Sequence, residues 1–474
     1  MKSYPMIIGG KAVETGSTIA VINPALGEPF AQVHAADAAL ADVAVAAARA
    51  AFPAWSATPD AERSRLLHAL GSALDSHTPE LMELVTCETG KPLRGLNDVG
   101  AGMELAGAIA WTHFTADIPL EPELVQDDEQ ARVEVHRKPL GVVASITPWN
   151  WPLMISIWHV IPALRAGNTV VIKPSEYSPV AVSRFVELAN AILPPGVLNV
   201  VNGAATVGAA LTGHPDVNKI VFTGSTRTGK QIMSGASATL KRLTLELGGN
   251  DAGIVLPDVD VKAVAPKLFG AGFHNNGQTC ACLKRLYVHD SQYEAMCEEL
   301  ARLARNAKVG NGLDAGVDLG PVQNRAQLDI VNALAVDARE AGGHILAGGK
   351  PLESKGFFFE PTIVAGLTNG SRLVDEEQFG PILPVVRYSD VDEAIRLAND
   401  NPNGLGGSVW STDSAAALAV ARRLECGTVW INEHGAVQPN APFGGVKQSG
   451  IGVEFGKHGL AEFTSIQTVK ISKS

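Results

Sequence analysis

The chain has 474 residues, too many for one hydrophobic core, so we expect two or three domains. It is 46% hydrophobic and 18% charged, a composition typical of a globular protein that folds over nearly its whole length. The 38 Lys and Arg residues against 49 Asp and Glu residues leave a net charge of −11 with no basic run, which disfavours nucleic acid and anionic membranes as partners.

Cysteine usage and the N-terminus predict a cytoplasmic protein. The five cysteines are few, odd in number and not spaced like a disulfide framework, which is typical of a reducing compartment. Residues 1–10 lack the long apolar segment and the small-residue cleavage site of a secretory signal.

The first predicted elements are two amphipathic helices, Asp37–Phe52 and Asp60–Ser76. Gly141–Leu164 then runs 24 residues without a formal charge, long enough to span a bilayer. Its three prolines and its polar side chains, Asn150 and His159, fit a buried strand, a turn and a helix better than a membrane span.

From residue 141 to residue 248, short apolar runs alternate with helical patterns. The predicted strands are Gly141–Thr147, Thr169–Lys173, Val197–Asn202 and Lys219–Thr223, and the predicted helices are Pro179–Leu193 and Thr206–Thr212. This alternation is the pattern of a parallel sheet joined by right-handed crossovers.

A second alternating region follows the glycines at 248 and 249, which we interpret as a hinge between two α/β domains. Its predicted helices are Val261–His274, Gln292–Arg305, Asn324–Ala341, Val391–Ala398 and Ala415–Leu424, and its predicted strands are Arg285–His289, Leu383–Tyr388, Ser408–Trp410 and Thr428–Asn432.

Two segments fit neither region. Ile118–His136 and Ala461–Lys470 alternate polar and apolar residues, which predicts a β-ribbon and a C-terminal strand that pair subunits through their sheet edges. The alternative for the second segment is a disordered terminus.

Cys280 is the candidate nucleophile, because it follows a small, polar, glycine-containing turn, Asn275–Thr279, where backbone amides can approach a reacting atom. A buried structural thiol is the default for any one cysteine, and a nucleophilic one needs a base or local positive potential. Cys282 invites a metal interpretation, but no CxxC or histidine cluster accompanies it, so we expect no metal site.

Glu246 and Asn150 could assist such a nucleophile. Glu246 has leucine on both sides, and burial would raise its pKa and suit it to act as a general base, the alternative being a salt-bridged interior residue. Asn150 lies in the turn Trp149–Pro152 and offers an amide donor to an oxyanion, although turn asparagines commonly bond their own backbone.

The segment Phe222–Lys230 is a glycine turn that leads into a helix, the geometry of a phosphate site. It nearly matches the P-loop pattern, but Gln231 stands where a Mg²⁺-binding hydroxyl is required, which disfavours an NTPase. Lys173–Glu176 ends a predicted strand, where a Lys and a Glu can hold ribose hydroxyls.

Together these segments resemble the aldehyde dehydrogenase superfamily, in order and along almost the whole chain. The matching motifs are Trp149–Pro152, Lys173–Glu176, Phe222–Ser225, Leu245–Gly249, Gly277–Cys280, Glu377–Pro381 and Pro442–Gly450. The resemblance implies an α/β fold of aldehyde dehydrogenase type: a Rossmann-like nucleotide-binding domain (residues 1–117 and 137–248), an α/β catalytic domain (249–450) and a β-ribbon oligomerisation element (118–136 and 451–474). Homodimers or homotetramers are the habit of this family.

The resemblance also implies the chemistry. Cys280 looks like the nucleophile that forms a thiohemiacetal and then a thioester, Glu246 the general base, and Asn150 with the Cys280 amide the oxyanion hole. Because relatives that acylate coenzyme A generally lack this glutamate, a hydrolytic, non-acylating enzyme is expected. The cofactor-binding residues that the resemblance implies are Trp149, Lys173, Ser175, Glu176, Gly208, Phe222, Thr223, Gly224, Ser225, Leu247, Gly248, Glu377 and Phe379.

For the cofactor we expect NAD, because Glu176 would accept ribose hydroxyls and repel a 2′-phosphate, while Lys173 leaves NADP open. By resemblance the substrate pocket comprises Trp151, Met154, Trp158, Phe273, Thr279, Cys282, Glu433, His434 and Val437. This mainly apolar set favours an aromatic or hydrophobic aldehyde. One alternative is a semialdehyde dehydrogenase, although none of these positions is an arginine that could pair with the substrate carboxylate. The other alternative is a cofactor-independent cysteine hydrolase.

Overall fold

The structure is a computed structural model that describes residues 1–473. Its N-terminal part contains five short strands and four helices: β1 (Lys2–Tyr4), β2 (Met6–Ile8), β3 (Lys11–Val13), β4 (Thr18–Asn23), β5 (Glu28–His34), α1 (Ala38–Ser56), α2 (Asp60–Ser76), α3 (Thr78–Thr89) and α4 (Ala101–Ala116). Asp37 is the residue just before helix α1, and its carboxylate caps the helix by accepting the Leu40 N–H. Strands β1, β5 and β4 form a small separate sheet.

Residues 123–139 form two consecutive strands, and from residue 142 to residue 246 strands and helices alternate as expected. Its elements are β6 (Glu123–Asp127), β7 (Ala131–Pro139), β8 (Val142–Ile146), α5 (Pro152–Arg165), β9 (Thr169–Lys173), α6 (Val180–Asn190), β10 (Leu198–Val200), α7 (Ala205–Gly213), β11 (Val217–Thr223), α8 (Thr226–Ala236) and β12 (Arg242–Glu246). Strands β8 and β9 are buried along their whole length because helices cover both faces of the sheet, which explains their continuous apolar runs.

Five of these strands are parallel neighbours in the order β12-β11-β8-β9-β10, and β2 and β3 extend the sheet beyond β10. The register places Ile146 opposite both Lys173 and Phe222, and Thr223 opposite Glu246. The carboxyl ends of four strands therefore meet at one edge, where the strand order reverses between β8 and β11 and ligands bind in such sheets.

The second half of the chain builds another α/β layer. Its elements are β13 (Asp251–Val255), α9 (Val261–Phe273), β14 (Leu283–His289), α10 (Asp290–Asn306), α11 (Arg325–Glu340), β15 (His344–Ala347), β16 (Thr362–Ala365), α12 (Arg372–Asp375), β17 (Ile382–Tyr388), α13 (Val391–Asn399), β18 (Asn403–Gly404), β19 (Gly406–Trp410), α14 (Ser414–Ala421), β20 (Thr428–Ile431), β21 (Val446–Lys447), β22 (Gly450–Ile451), α15 (Gly456–Ala461) and β23 (Thr464–Ser472). The sheet order is β15-β16-β17-β14-β13-β19-β20, and all its pairs are parallel except β15 with β16.

The two leftover segments pair with each other. Strand β7 lies between β6 and β23 in a three-stranded antiparallel sheet, so the alternation of both segments correctly predicted strands. Within residues 451–473 only β23 joins this ribbon, because β22 pairs with β12 in the first sheet and α15 contacts α5. Apolar side chains of both outer strands remain exposed, Leu124, Val125, Ile466 and Ile471 among them.

Several elements were not expected from the sequence. Strands β1–β5 and β13 are short or begin with polar residues, and α3 and α4 lack a clear apolar stripe. In residues 1–473 one helix, α1, is long and apolar enough to cross a membrane by length and composition alone, and a single such helix is weak support for a span. Four of its residues, Ala41, Ala44, Val45 and Ala48, are buried in the hydrophobic core.

Candidate active site

The segment that carries Cys280 leaves helix α9 through a strained turn. Asn275, Asn276 and Gly277 all have positive φ, at 48°, 59° and 72°, and only the last is glycine. The Asn275 amide holds the turn in place by donating to the carbonyl oxygens of Asn150 at 3.1 Å and Gln278 at 3.2 Å. The turn thus presents Cys280 between α9 and strand β14.

The turn after strand β8 lies directly against this segment. Asn150 is 4% exposed, and its Nδ2 donates to the Gln278 carbonyl at 2.9 Å, which leaves its second amide hydrogen available. The indole Nε1 of Trp151 donates to Thr279 Oγ1 at 2.8 Å. Two hydrogen bonds therefore align the candidate oxyanion donor with the cysteine segment.

Glu246 ends strand β12 and is 4% exposed, and neither of its carboxyl oxygens has a hydrogen-bond partner among the described residues. Burial, together with the nearby Glu454, raises its pKa well above the usual range for a carboxyl. Gly249, three residues further on, packs so tightly that a Cβ there would lie 2.5 Å from the Cys280 carbonyl oxygen. An unpaired buried carboxyl beside the cysteine segment suits a general base.

Cys280 itself is mostly a neutral thiol in this environment. Burial raises its pKa, and the carboxylates of Glu246, Glu377 and Asp251 raise it further. A thiol in such surroundings becomes a nucleophile only when a base removes its proton. This requirement makes the neighbouring Glu246 chemically relevant.

The carboxyl edge of the first sheet carries groups that could hold a dinucleotide. Lys173 is buried at the end of β9, with its Nζ 3.8 Å from Glu176 Oε2. A Cβ at Gly208 would lie 3.7 Å from Lys173 Cδ, so this glycine leaves room above the lysine stem. Ser225 caps helix α8 by accepting the Thr228 N–H at 3.3 Å. The free amides at this helix N-terminus fit a pyrophosphate.

Further residues of the expected cofactor set lie at the same edge, at or just after the ends of β9, β11 and β12. Ser175 Oγ accepts the Tyr177 N–H at 3.3 Å, and a Cβ at Gly224 would lie 2.5 Å from the Phe222 ring. Thr223 Oγ1 lies 2.9 Å from the buried His159 Nε2, and the Leu247 side chain lies against Gly229 of helix α8.

Glu377 and Phe379, from the second half of the chain, contact residues that follow the ends of β12 and β8. Glu377 Oε1 accepts the Gly249 N–H at 3.1 Å, and a Cβ at Gly248 would lie 2.4 Å from Glu377 Oε2. Burial raises the pKa of Glu377 to about 7. The backbone of Phe379 has a positive φ of 47°. Its ring packs edge to face against the Trp149 ring, with the ring centroids 5.3 Å apart. These residues fit a nucleotide that extends from Lys173 toward Cys280.

A cavity of about 650 Å³ opens on the other side of Cys280 and has a mainly apolar lining. Seven of the expected pocket residues line it: Trp151, Met154, Trp158, Thr279, Glu433, His434 and Val437. The His434 imidazole directs Nδ1 to Ser408 Oγ at 2.9 Å and Nε2 toward Asp251 at 3.6 Å.

The other two expected pocket residues lie elsewhere. Phe273 is fully buried and stacks on Phe269 with ring centroids 4.4 Å apart, because both face the core side of α9. Cys282 is also fully buried and lies behind His274, with its Sγ 3.5 Å from the imidazole Nε2. The expectation that Phe273 and Cys282 line the pocket is corrected accordingly.

Several cavity residues were missed in the sequence analysis. Met103, Trp111 and Phe443 add apolar surface, while Lys267 of helix α9 and His274, just after the helix, add polar groups. Lys267 and Ala271 lie one turn apart on α9, but no sequence motif indicates that this side of the helix faces the cavity. Within residues 1–473 no group of three or more His, Cys, Asp or Glu side chains is placed to hold a metal ion.

Comparison with known proteins gives a consistent result. The family model described as Aldehyde dehydrogenase family matches residues 12–469. Phenylacetaldehyde dehydrogenase of Pseudomonas fluorescens is 40% identical, with 99% of this chain and 96% of the relative aligned. 3-Sulfolactaldehyde dehydrogenase of Pseudomonas putida is 38% identical, over 97% and 94%. The crystal structure of PnpE in complex with nicotinamide adenine dinucleotide superposes with a TM-score of 0.95 at 40% identity, over 99% and 97%.

Proposed function

Because the chain belongs to the aldehyde dehydrogenase family and is an NAD(P)-dependent oxidoreductase of that kind, we propose that it oxidises an aromatic or hydrophobic aldehyde to the acid through a thioester on Cys280. One observation supports this assignment: Cys280 lines the apolar cavity and lies close to both buried carboxyls, Glu246 and Glu377.

In the first step Glu246 takes the Cys280 proton, directly or through a water molecule, and the thiolate sulfur attacks the aldehyde carbon. A new C–S bond forms and the carbonyl oxygen becomes an oxyanion. The free amide hydrogen of Asn150, with the Cys280 backbone N–H, stabilises this oxygen. Because Asn150 is already bonded to Gln278, the donor needs no reorientation when the charge develops.

NAD, when bound, supplies the acceptor for the hydride that leaves the thiohemiacetal carbon. Lys173 and Glu176 would hold the adenosine ribose, Ser225 the pyrophosphate and Glu377 the nicotinamide ribose. Phe379 and Trp149 would pack beside the nicotinamide and keep water from the reacting carbon.

Hydrolysis completes the reaction. Glu246 first releases the Cys280 proton to solvent. It then removes a proton from a water molecule, the water oxygen attacks the thioester carbon, the C–S bond breaks, and the Cys280 thiolate takes the proton back from Glu246. The product is a carboxylic acid. The raised pKa of Glu246 supports this role, because a carboxyl of higher pKa is a stronger base toward water.

The substrate and assembly form part of the same proposal. The tryptophans Trp111, Trp151 and Trp158 give the cavity a flat apolar lining that suits an aromatic aldehyde. NAD is preferred to NADP because Glu176 would repel a 2′-phosphate.

The exposed apolar side chains of the ribbon support a homodimer or homotetramer built through β6 and β23. We also place the enzyme in the cytoplasm.

An aldehyde panel tests the proposed function. The protein is incubated with aromatic, aliphatic and carboxylated aldehydes and with NAD or NADP, and the absorbance of the reduced nicotinamide is followed. We expect the fastest turnover with an aromatic aldehyde and NAD. Ester hydrolysis without any nicotinamide-dependent turnover would instead favour a cysteine hydrolase.

A further inference from the structure

One wall of the substrate cavity differs chemically from the rest. Lys267, Gly270 and Ala271 of helix α9 line it, together with His274, the residue that follows the last residue of the helix. The mechanism above uses none of them. Among the described residues that line the cavity, Glu433 is the one carboxylate. Lys267 and His274 are potential cations in the same lining.

His274 has a hydrogen-bonding nitrogen that the protein does not fully engage. Its Nδ1 donates to the Gly270 carbonyl at 3.0 Å, which orients the ring. The Sγ atom of Cys282 is 3.5 Å from Nε2 but also only 4.0 Å from Nδ1, so it faces the side of the ring and does not continue the Nε2 bond direction. The Nε2 position is therefore open to a ligand in the cavity.

The surroundings of His274 favour its charged form as one half of a pair with the Cys282 sulfur, whose own pKa is lowered by His274 against the effect of burial, so His274 would recognise a ligand mainly as a hydrogen-bond donor. Burial opposes the charge, but the Cys282 sulfur beside the ring and the bond to Gly270 outweigh it, and the pKa of His274 is raised. Lys284 acts in the opposite direction. The C-terminal end of α9, which carries partial negative charge, also favours an imidazolium.

Two further donors extend this wall toward the cavity mouth. Lys267 is exposed and lies seven residues before His274, about 10 Å along the helix axis. Between them, a Cβ at Gly270 would lie 2.3 Å from Asn97 Nδ2, so the Asn97 amide sits directly on the helix surface. The missing side chain of Gly270 makes room for the Asn97 amide, so Asn97 lies between Lys267 and His274 in this row of donors.

We propose that His274, Asn97 and Lys267 form a subsite that binds a carboxylate of the substrate, so that the aldehyde carries an acidic group as well as an apolar body. This inference rests on the proposed function and narrows its substrate class. The apolar body packs on the tryptophan-rich side of the cavity, the aldehyde carbon faces Cys280, and the carboxylate accepts hydrogen bonds from α9. Such a subsite contains no arginine and still provides hydrogen-bond donors for the carboxylate of a semialdehyde acid.

The test compares matched benzaldehydes that carry a carboxylate or a methyl group at position 3 or 4. The wild-type enzyme should show the higher kcat/KM with a carboxylated member. The His274→Phe substitution keeps the ring volume and removes the donors, and it should lower kcat/KM for that substrate about 10- to 100-fold through KM. The methyl analogue should change by less than about threefold.

Further variants separate recognition from packing. His274→Gln keeps a donor and should restore part of the lost preference, and Lys267→Met should weaken it to a lesser extent because Lys267 is exposed. Lys262→Met, an exposed lysine in the first turn of the same helix, is the control and should leave the preference unchanged. Equal losses with both substrates in His274→Phe, or a wild-type preference for the methyl analogue, would overturn the subsite. Absence of NADH formation from every aldehyde would overturn the proposed function instead.

Discussion

The side-chain amide of Asn150 donates a 2.9 Å hydrogen bond to the carbonyl of Gln278, two residues before Cys280. Asn150 lies in the turn after strand β8 of the first sheet, and Gln278 lies in the segment that leads to strand β14 of the second sheet. The bond therefore joins the two sheets at the reacting centre. It also fixes the direction of the amide before substrate arrives.

Replacing Asn150 by Ala should lower kcat about 100- to 1000-fold, because one oxyanion donor is lost. The loss should fall on kcat more than on KM, since the donor acts on charge that develops during attack. Steady-state kinetics with a saturating aldehyde measure both. A variant that changes only KM would show that Asn150 binds the ground state.

Replacing Glu246 by Gln should slow both steps, and hydrolysis of the thioester more than its formation, because the Cys280 proton can still leave to water, a weaker base, whereas water is a poor nucleophile without a base beside it. General-base catalysis contributes about 100- to 10,000-fold, so steady-state turnover should fall within that range. Stopped-flow measurement should then show a burst of NADH close to one equivalent per site, followed by a slow phase. A burst equal to that of the wild type with unchanged steady-state turnover would remove Glu246 from the mechanism.

Glu377 should make NAD binding depend on pH near neutrality. Burial raises its pKa to about 7, so the side chain is neutral below that pH and a carboxylate above it. Because a carboxylate accepts stronger hydrogen bonds from ribose hydroxyls, KM for NAD should fall as pH rises through about 7. Glu377→Gln should remove this step, whereas Glu376→Gln, an exposed neighbour paired with Arg372, should keep it.

Glu176 should control the choice between NAD and NADP. Its carboxylate lies 3.8 Å from Lys173 Nζ at the end of β9. Glu176→Gln removes a negative charge near the expected 2′-phosphate and leaves the lysine, so the ratio of kcat/KM for NADP to that for NAD should rise about tenfold. An unchanged ratio would show that the adenosine ribose binds elsewhere.

Lys91 and Glu104 form a buried ion pair under the active site. Lys91 Nζ also lies 3.2 Å above the Trp151 ring, while Glu104 Oε1 accepts the N–H groups of Leu153 and Met154 at the start of α5. Lys91→Met should lower the free energy of unfolding by about 3–5 kcal/mol, because it leaves a buried carboxylate without its cation. Chemical denaturation measures this loss, and Lys91→Met combined with Glu104→Leu should be less destabilised than the single variant.

Much of the first sheet could be predicted from the sequence, because strands such as Thr169–Lys173 are buried on both faces and appear as apolar runs between turns. Strand β13 was missed because it begins at Asp251, whose side chain accepts the Gly406 N–H from a distant strand. That pairing depends on tertiary structure and has no local signal.

The candidate site shows the same division. Residues in short motifs, such as Glu246 and Cys280, could be identified because their chemistry depends on neighbours in the chain. The pocket wall could not, because it depends on which face of α9 turns inward. Phe273 and His274 are adjacent in sequence, yet the first packs in the core and the second reaches the cavity.

The most direct test of the account is mass spectrometry of the thioester. Glu246→Gln enzyme is mixed with NAD and an aldehyde that the wild type oxidises, then denatured, digested and sequenced across residues 268–284, which contain both Cys280 and Cys282. We predict that the mass of this peptide increases by that of the acyl group, located on Cys280, and that the increase is absent when Cys280→Ala is added. An acyl group on Cys282, or NADH formation without any acyl adduct, would contradict it.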